Sequence, residues 1–433
     1  MFLPSTLFTY LTSLLFAQQQ QPQPQPQHQG RQLHFELRQY HAVTEDARVL
    51  FHEHVAPSFL GAPPTTTTTT ASHSVRTRRI TRQLPILFSA KDSSYYERGW
   101  DEEEVDGPDV EDRETLLALA KMTNNAYLEP GEEGWYELGE RWNVSYPFGW
   151  EPSSSGFRGH VFATPDNSTV VLSIKGTSAA FIGGGGPTAK KDKFNDNLLF
   201  SCCCARVDWT WTTVCGCYRG GWQCDQGCLE EALIEESLFY PIGTNLYNNI
   251  TYMYPNSDIW ITGHSLGGAL ASLLGVTFGA PVVAFESPGE KLAAGRLHIN
   301  VPPSLQHVTH VYHTADPIAM GTCNGVLSSC ALGGYAMETR CHLGKSIVYD
   351  TVTNLSWAVD IRTHTIVNVI EKLLAQPWKD SQRFGREVPE AKADEDCVEC
   401  FSWDFGDYPE KTKFGKGGSR RTCNSSTTLE LEP

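Results

Sequence analysis

The sequence predicts an α/β fold with a mixed central sheet. Two strand patterns at 160–164 and 169–174, joined by turn residues, indicate an antiparallel hairpin. A short apolar run at 258–262 leads directly into a helix rich in small residues. Further strand patterns then alternate with helical ones, which is typical of a sheet that also contains parallel strands. Together these patterns favour a sheet of both orientations packed against helices.

The individual elements follow from local periodicity. A helix is predicted at 114–127, where Leu116 and Leu119 recur at helical spacing. After the hairpin, we expect a Gly-rich and Cys-rich loop over 183–228 and then a helix at about 229–248. The remaining predicted elements are the strands 282–285 and 308–312 and a last helix at 365–374. Beyond the last helix the chain turns polar, and no internal repeat is present.

Charge and cysteine content limit where the protein folds and what it binds. With 50 acidic and 34 basic residues the net charge is −16, so nucleic acid is not a predicted partner. Thirteen cysteines, together with five N-x-S/T sequons, indicate an oxidising, glycosylating compartment. The predicted N-glycosylation sites are Asn143, Asn167, Asn249, Asn354 and Asn424.

Residues 1–17 are apolar and contain no Lys or Arg. They are either a cleaved signal peptide or an uncleaved signal anchor. As a helix the segment would span roughly 25 Å, slightly less than a ~30 Å hydrocarbon core, which favours a signal peptide. Leu15 would occupy position −3 of a cut after Ala17, where a small residue is needed, and this disfavours cleavage. From the residues alone both alternatives stay open.

The most specific motif is Gly263-His264-Ser265-Leu266-Gly267, at the end of the 258–262 strand. A serine two residues from a glycine on either side, at a strand-to-helix turn, is the pattern of a nucleophile elbow. The turn strains the backbone of the serine, and a side chain at either flank would collide with the neighbouring strand or helix. We therefore predict that Ser265 is a catalytic nucleophile.

A serine hydroxyl needs a base, and that base needs an orienting carboxylate. In enzymes with such an elbow the chain order is serine, acid, histidine. The best acid is Asp316, which lies just past the 308–312 strand, with Asp350 and Asp360 as rivals. The best base is His364, which comes last, at the start of the final helix. The other histidines considered, which are more readily structural, are His307, His310, His313 and His342.

Attack on a carbonyl also creates an oxyanion, which backbone amides must stabilise. One predicted donor is the amide of Leu266, the residue after the nucleophile. The other is Thr177, in the Gly176-Thr177 pair that follows an early strand. These two residues form the predicted oxyanion hole, and the chemistry requires no metal or cofactor.

The cysteine cluster at 202–228 has spacings that a tetrahedral zinc site could use. In an oxidising compartment disulfides are the preferred interpretation, although their connectivity cannot be read from the sequence. Because indole side chains favour the membrane interface, we expect disulfides to stiffen an apolar surface loop that meets a membrane. The apolar residues assigned to that loop are Leu198, Leu199, Phe200, Trp209 and Trp211.

With these motifs the chain resembles the class 3 lipases and, more closely, the fungal autophagy-related vacuolar lipases. The resemblance covers about residues 110–378 and rests on four segments: I-T-G-H-S-L-G-G (261–268), S-I-K-G-T (173–177), H-T-A-D-P-I (313–318) and I-R-T-H-T (361–365). It implies an α/β-hydrolase fold and a cofactor-independent serine esterase. The implied substrates are glycerolipids, especially membrane phospholipids, with phosphoinositides among them.

The resemblance also implies a location and a division of the chain. Residues 1–17 would be an uncleaved type II anchor of the endosome and multivesicular body, with the bulk of the chain lumenal. Delivery to the vacuole would let the enzyme lyse autophagic bodies. The predicted parts are the anchor or signal peptide (1–17), an N-terminal region with low-complexity spacers (18–110), a catalytic domain (111–378) with the Cys-rich insert 183–228, and a polar tail (379–433).

Two other functions remain compatible with the sequence. The first is a secreted lipase or feruloyl-type esterase from which residues 1–17 have been cleaved. The second is a non-catalytic, disulfide-rich lipid-binding protein with a vestigial site. The start of the mature chain separates the first alternative from the anchored enzyme, and reactivity at Ser265 separates the second from any enzyme.

Overall fold

A computed structural model describes residues 31, 33–43, 49–53, 75–84, 101–138, 156–177, 189–205, 213–236, 239–394 and 396–408. The strands of these ranges are β1 (Glu36–Val43), β2 (Val49–Glu53), β3 (Thr77–Leu84), β4 (Asp101–Pro108), β5 (Arg158–Ala163), β6 (Thr169–Ile174), β7 (Tyr218–Gly220), β8 (Gln223–Asp225), β9 (Asp258–His264), β10 (Val282–Phe285), β11 (Val308–His313), β12 (Lys345–Tyr349) and β13 (Asp404–Gly406).

The α-helices of the same ranges are α1 (Arg113–Asn125), α2 (Ala189–Phe200), α3 (Gln226–Glu236), α4 (Phe239–Met253), α5 (Leu266–Phe278), α6 (Lys291–Arg296), α7 (Ser329–Leu332), α8 (Thr351–Leu355), α9 (Ile366–Asn368) and α10 (Lys379–Gln382). Short 3₁₀ turns occupy Pro303–Leu305 and Ile361–Thr363, and a π-helical turn, Val369–Leu373, continues α9. The predicted helix at 114–127 is confirmed as α1.

Eight strands form one mixed sheet in the order β12-β11-β10-β9-β6-β5-β1-β2. From β6 to β12 the neighbours run parallel, whereas β6, β5, β1 and β2 pair antiparallel. The predicted hairpin is confirmed as β5 and β6, and the predicted mixed sheet is observed. Because β6, β9, β10, β11 and β12 are parallel, their carboxyl ends meet at one edge. We call this the carboxyl edge, and the candidate site lies there.

Strand β9 shows how the sheet builds two cores. Ile259 and Ile261 pack into the same cluster as helix α5 and α4, whereas Trp260, on the opposite face, packs with α1 and the α9 region. The indole of Trp260 also donates to the carbonyl of Asp106 at 2.7 Å. A central parallel strand is covered on both faces, which explains why this run is apolar at successive positions.

The insert differs from the prediction. Where a loop was expected over 183–228, the described part holds helix α2 and the β7–β8 hairpin. Leu198, Leu199 and Phe200 are fully buried at the end of α2, so they cannot form an apolar surface loop; they pack beneath the disulfides instead. Trp209 and Trp211 lie outside the described residues. The predicted helix at 229–248 is also wrong in extent, because α3 and α4 are separate helices.

Six disulfides explain the cysteine cluster. The sulfur atoms of Cys204, Cys215 and Cys217 lie close together, yet each is already paired with a cysteine, which removes the thiolates that zinc would need. The predicted disulfides are thus confirmed over the zinc interpretation, and Cys423 lies outside the described residues. The pairs are Cys202–Cys400, Cys203–Cys224, Cys204–Cys215, Cys217–Cys228, Cys323–Cys330 and Cys341–Cys397.

Segments on both sides of the predicted catalytic domain join the same fold. Strands β1 and β2, from the 18–110 region, extend the central sheet next to β5. At the other end, Cys397 and Cys400 tie the 379–433 region to Cys341 and Cys202. The core that supports the site therefore draws on more of the chain than residues 111–378.

Two further sequence predictions concern membranes and glycans. Within the described ranges, no helix combines the length and the apolar character that crossing a membrane requires. Residues 1–17 lie outside those ranges, as do Asn143 and Asn424. Asn167 and Asn354 are exposed, and Asn249 is half-buried on α4. The glycosylation of these asparagines stays a prediction.

Candidate active site

The carboxyl edge brings Ser265, Asp316 and His364 together. Oγ of Ser265 lies 2.9 Å from Nε2 of His364, and Nδ1 of His364 lies 2.6 Å from Oδ2 of Asp316. Ser265 follows β9, and Asp316 lies three residues beyond the end of β11. In this arrangement the histidine can accept the serine proton while the carboxylate holds its other ring nitrogen.

The elbow around Ser265 has the strain that the motif predicts. Ser265 has φ 57° and ψ −129°, a positive φ in a residue other than glycine, between β9 and α5. A Cβ on Gly263 would lie 2.3 Å from the carbonyl oxygen of Gly267, and a Cβ on Gly267 would lie 2.3 Å from that of Ile174. Glycine is therefore required at both positions, and the amide of Ser265 donates to Phe285 at 3.0 Å.

Asp316 is fully buried and charged. Burial by itself would raise the pKa of Asp316, but the charge of His364 and the hydrogen bond to it act in the opposite direction and prevail. The amide of Ile318 also donates to Oδ1 of Asp316 at 2.9 Å. The net effect is a pKa well below the ordinary value of an aspartate. Asp316 is thus an anion that can orient His364 and stabilise its protonated form.

Glu286 is a residue near the site that sequence reasoning missed. It follows β10 directly, it is fully buried, and it has φ 44°. Its Oε1 lies 3.6 Å from Nε2 of His313, and its carboxyl group contacts that of Asp316. Burial raises the pKa of Glu286 well above its ordinary value, and the neighbouring charge of Asp316 raises it further. The sequence did contain one indication of Glu286: it directly follows the 282–285 strand, which is the first strand after the elbow.

The proton on Glu286 has a clear use. The backbone amide of His313 favours the ionised form of Glu286, but burial and the neighbouring charge of Asp316 outweigh this effect. Two touching carboxyl groups without a cation between them hold a proton, and it stays on the one with the higher pKa. Glu286 therefore donates a hydrogen bond to Asp316. This bond stabilises the ionised form of Asp316.

The segment after β6 passes directly beside the elbow. A Cβ on Gly176 would lie 2.3 Å from the carbonyl oxygen of His264 and 3.2 Å from Cβ of Ser265. The amide of Gly176 donates to the hydroxyl of Tyr127 at 3.1 Å, and that hydroxyl lies 2.8 Å from Nδ1 of His264. The amide of Gly176 is thus already used in a hydrogen bond to Tyr127. Thr177 is therefore the remaining candidate for an oxyanion donor on this segment.

The two predicted oxyanion residues, Thr177 and Leu266, are held in place by different parts of the structure. The hydroxyl of Thr177 donates to Oδ2 of Asp196, on α2, at 2.7 Å, which ties the segment to that helix. Burial raises the pKa of Asp196 to about 8. Leu266 is the first residue of α5, so its amide has no acceptor within the helix and carries the partial positive charge of a helix N-terminus.

The rival acids and histidines have other partners. Asp350 caps α8 by accepting from the amide of Thr353, and Asp360 caps the 361–363 turn by accepting from Arg362. The histidines also have hydrogen-bond partners of their own: His307 with Thr81, His310 with Glu290, His313 with Thr363 and His342 with Ser287. Of the sequence candidates, His364 is the one whose ring lies between a carboxylate and Ser265.

Comparison with known proteins agrees with this geometry. The family model described as lipase (class 3) matches residues 221–322, which include the elbow and the loop at Asp316. In three dimensions, 54% of the chain overlaps 77% of the nonglycosylated LIP2 lipase of Yarrowia lipolytica, with 16% sequence identity and a TM-score of 0.27. A TM-score this low does not define the fold, which follows instead from the strand order of the chain itself.

Relatives of much higher identity are fungal proteins, each named "Putative lipase ATG15". The protein of Cryptococcus neoformans var. neoformans serotype D is 51% identical over 382 residues, which cover 75% of this chain and 73% of the relative. That of Mycosarcoma maydis is 53% identical over 66% of this chain and 56% of the relative. That of Kluyveromyces lactis is 46% identical over 77% and 64%. The chain therefore belongs to the ATG15 family of class 3 lipases, which are carboxylic ester hydrolases.

Proposed function

We propose that this protein is a serine lipase that hydrolyses the ester bonds of membrane glycerolipids. The observation that carries the proposal is the continuous hydrogen-bonded chain from Ser265 through His364 to Asp316. Ser265 is the nucleophile, His364 the general base and Asp316 the residue that orients the imidazole. A hydrogen-bonded set of this kind can perform acyl transfer through a covalent acyl-enzyme intermediate.

In the acylation step, Oγ of Ser265 attacks the ester carbonyl while Nε2 of His364 takes the hydroxyl proton. The tetrahedral oxyanion faces the amide of Leu266 and the segment at Thr177. Collapse of this intermediate breaks the ester bond, and His364 returns the proton to the leaving alcohol. A water molecule, deprotonated by His364, then attacks the acyl-enzyme and releases the fatty acid, which regenerates Ser265.

The substrate class and the location are finer parts of the proposal. Six disulfides and exposed sequons support a lumenal, oxidising environment, and the family supports lipid substrates. We propose that the enzyme reaches the vacuole through the multivesicular body and hydrolyses phospholipids of autophagic bodies there. Residues 1–17 would anchor it during delivery; N-terminal sequencing that finds Gln18 as the first residue would instead support a secreted enzyme.

The test of the chemistry is Ser265→Ala. We expect this variant to lose hydrolysis of phosphatidylcholine vesicles and of a soluble short-chain ester, while its thermal unfolding stays close to that of the wild type. A serine-reactive phosphonate should label the wild type and fail to label the variant. Retained hydrolysis, or labelling that does not depend on Ser265, would show that the nucleophile lies elsewhere or that the protein binds lipid without cleaving it.

A further inference from the structure

The loop that follows Asp316 has an unusual composition. Over residues 317–337 there is no Asp, Glu, Lys or Arg, although such residues make up 19% of the chain. In its middle, large aliphatic side chains face solvent: Leu327 is 86% exposed, Leu332 76% and Val326 48%. We call residues 324–332 the apolar finger. An exposed apolar group of this kind marks a binding surface more often than a scattered single residue does.

The exposure of the finger is built in. The disulfide Cys323–Cys330 closes its base. The amides of Thr322 and Cys323 both donate to the carbonyl of Pro317 at 2.8 Å, and the hydroxyl of Ser328 accepts from the amide of Ala331 at 3.1 Å. These bonds hold Leu327 outward, because folding it back onto the protein would require several of them to break.

The base of the finger is tied to the chain next to Asp316, because the amide of Cys323 donates to the carbonyl of Pro317 at 2.8 Å. Its far end is held by Asn197 of α2, which donates to Gly334 at 3.0 Å and accepts from the amide of Ala336 at 2.7 Å. Val359, which lies between α8 and the 361–363 turn and five residues before His364, is 56% exposed. Exposed apolar side chains therefore occur on the segment that follows Asp316 and on the segment that precedes His364.

We propose that the apolar finger inserts into a lipid surface and holds Ser265 toward it. This inference rests on the proposed lipase function. A lipid surface fits the finger because the segment is aliphatic and carries no charge. Insertion into lipid therefore does not require the removal of a charged group from water. Because the chain carries a net charge of −16, we attribute its affinity for a zwitterionic lipid surface to apolar contact rather than to charge attraction.

The test compares two exposed apolar residues at opposite edges of the sheet. Leu327→Ser alters the finger. Tyr252→Ser is the matched control, because Tyr252 is 83% exposed and lies near the end of α4, just before the amino end of β9. Val326→Ser is avoided, since it would create a sequon at Asn324. Each change is made in the full chain, with and without Ser265→Ala.

Binding is measured by sedimentation with phosphatidylcholine vesicles, and activity with those vesicles and with a soluble short-chain ester. We expect Leu327→Ser to weaken vesicle binding roughly tenfold or more, to slow vesicle hydrolysis correspondingly and to leave soluble-ester hydrolysis within twofold. Adding Leu332→Ser should deepen the loss, and Tyr252→Ser should change neither. Light scattering records the oligomeric state of each variant.

Three outcomes would overturn the inference. Vesicle binding by Leu327→Ser equal to that of the wild type would exclude insertion of the finger. An equal loss on the soluble ester would assign the finger to the active site itself, and a change from an oligomer to a monomer would assign it to a second copy of the chain. If the wild type hydrolyses neither substrate, the proposed function fails, yet vesicle binding in the Ser265→Ala background still decides the role of the finger.

Discussion

Among the described residues, His364 with Asp316 and His310 with Glu290 are buried, hydrogen-bonded histidine–carboxylate pairs that differ in what surrounds them. His364 contacts Asp316 at 2.6 Å, and His310 contacts Glu290 at 2.9 Å. In the first pair the pKa of the acid falls well below its ordinary value. In the second, burial raises the pKa of Glu290 to about 7 and lowers that of His310 to about 3. The acid is thus ionised in the first pair, whereas in the second pair its pKa is raised toward neutrality.

The difference comes from the neighbours of each acid. Asp316 accepts hydrogen bonds from the amide of Ile318 and from the carboxyl group of Glu286, in addition to the one from His364. Glu290 receives the amide of Leu343 at 3.1 Å, but its second oxygen has no hydrogen-bond partner among the described residues. Donors stabilise a buried charge, and without enough of them the group stays protonated. A histidine–carboxylate pair therefore becomes a catalytic candidate through its donors and through a reachable serine.

The largest expected effect is that of Asp316→Asn. An amide cannot hold His364 in the tautomer that accepts the serine proton, so we expect kcat on a soluble ester to fall about 10⁴-fold. The side chain keeps its size, so thermal unfolding should change little. Asp360→Asn, at a nearby acid that caps a turn, is the control and should stay within threefold. A variant of Asp316 that keeps more than a tenth of the activity would contradict the assignment.

The next effect is that of Glu286. Glu286→Ala removes the donor to Asp316, and a hydrogen bond to a charged group contributes about 1.5–3 kcal/mol, so we expect kcat/KM to fall about 10–100-fold. Glu286→Gln retains an N–H donor and should recover most of this activity. The pair of variants separates a lost hydrogen bond from a lost volume.

The pH profile adds a readout specific to the proton. As pH rises through the raised pKa of Glu286, this group ionises and places a second negative charge beside Asp316, with His313 and His364 as the other titratable neighbours. Activity of the wild type should then decline on the alkaline side. Glu286→Gln cannot ionise and should lack that decline. Identical alkaline limbs in the two proteins would argue against a protonated Glu286.

The smallest effect on activity is expected for Glu290→Gln, at the second pair. We expect kcat/KM within twofold, since this pair does not contact Ser265. The stability should instead show a pH signature. The pKa of Glu290 is raised to about 7 in the folded state. Its contribution to the free energy of unfolding is therefore fully present below its unfolded pKa of ~4.3, and it is lost as pH rises to about 7.

Glutamine does not titrate. As pH rises from ~4.3 to about 7, the free energy of unfolding of Glu290→Gln should therefore increase relative to that of the wild type, by roughly 3 kcal/mol at most. Chemical denaturation at pH 4.5, 6 and 7.5 measures the difference between the two proteins. The depressed pKa values of His310 and His342 act with the opposite sign, lowering stability as pH falls, but they do so in both proteins. A difference that is independent of pH would show that Glu290 is ionised throughout.

Much of the candidate site was readable because its signals are local or ordered along the chain. The elbow requires glycine at 263 and 267, and the clashes that require it involve the turn and the strand next to it. The order of Ser265, Asp316 and His364, with a strand before each of the first two, predicted this set among several rivals, and these are the side chains that hydrogen-bond to one another in the structure. The hairpin β5–β6 and helix α1 were predicted from periodicity within single segments.

Other features depend on which strands and segments become neighbours, and no local pattern encodes that. Glu286 meets Asp316 because β10 lies beside β11 in the sheet. Leu198, Leu199 and Phe200 looked like a surface loop, but the disulfides and α3 cover the end of α2. The cysteine pairing was undetermined for the same reason, since Cys202 pairs with a residue 198 positions away.

The sequence by itself predicted the proposed chemistry: a strained serine, an acid and a histidine in hydrolase order, and cysteines suited to an oxidising compartment. It could do so because strain, spacing and redox preference are properties of residue types over short stretches. The tertiary structure alone decided which buried carboxyl group near a histidine is ionised, and which apolar side chains of the segment after Asp316 face solvent. These outcomes depend on donors and burial contributed by distant segments, and such contributions exist only once the sheet has formed.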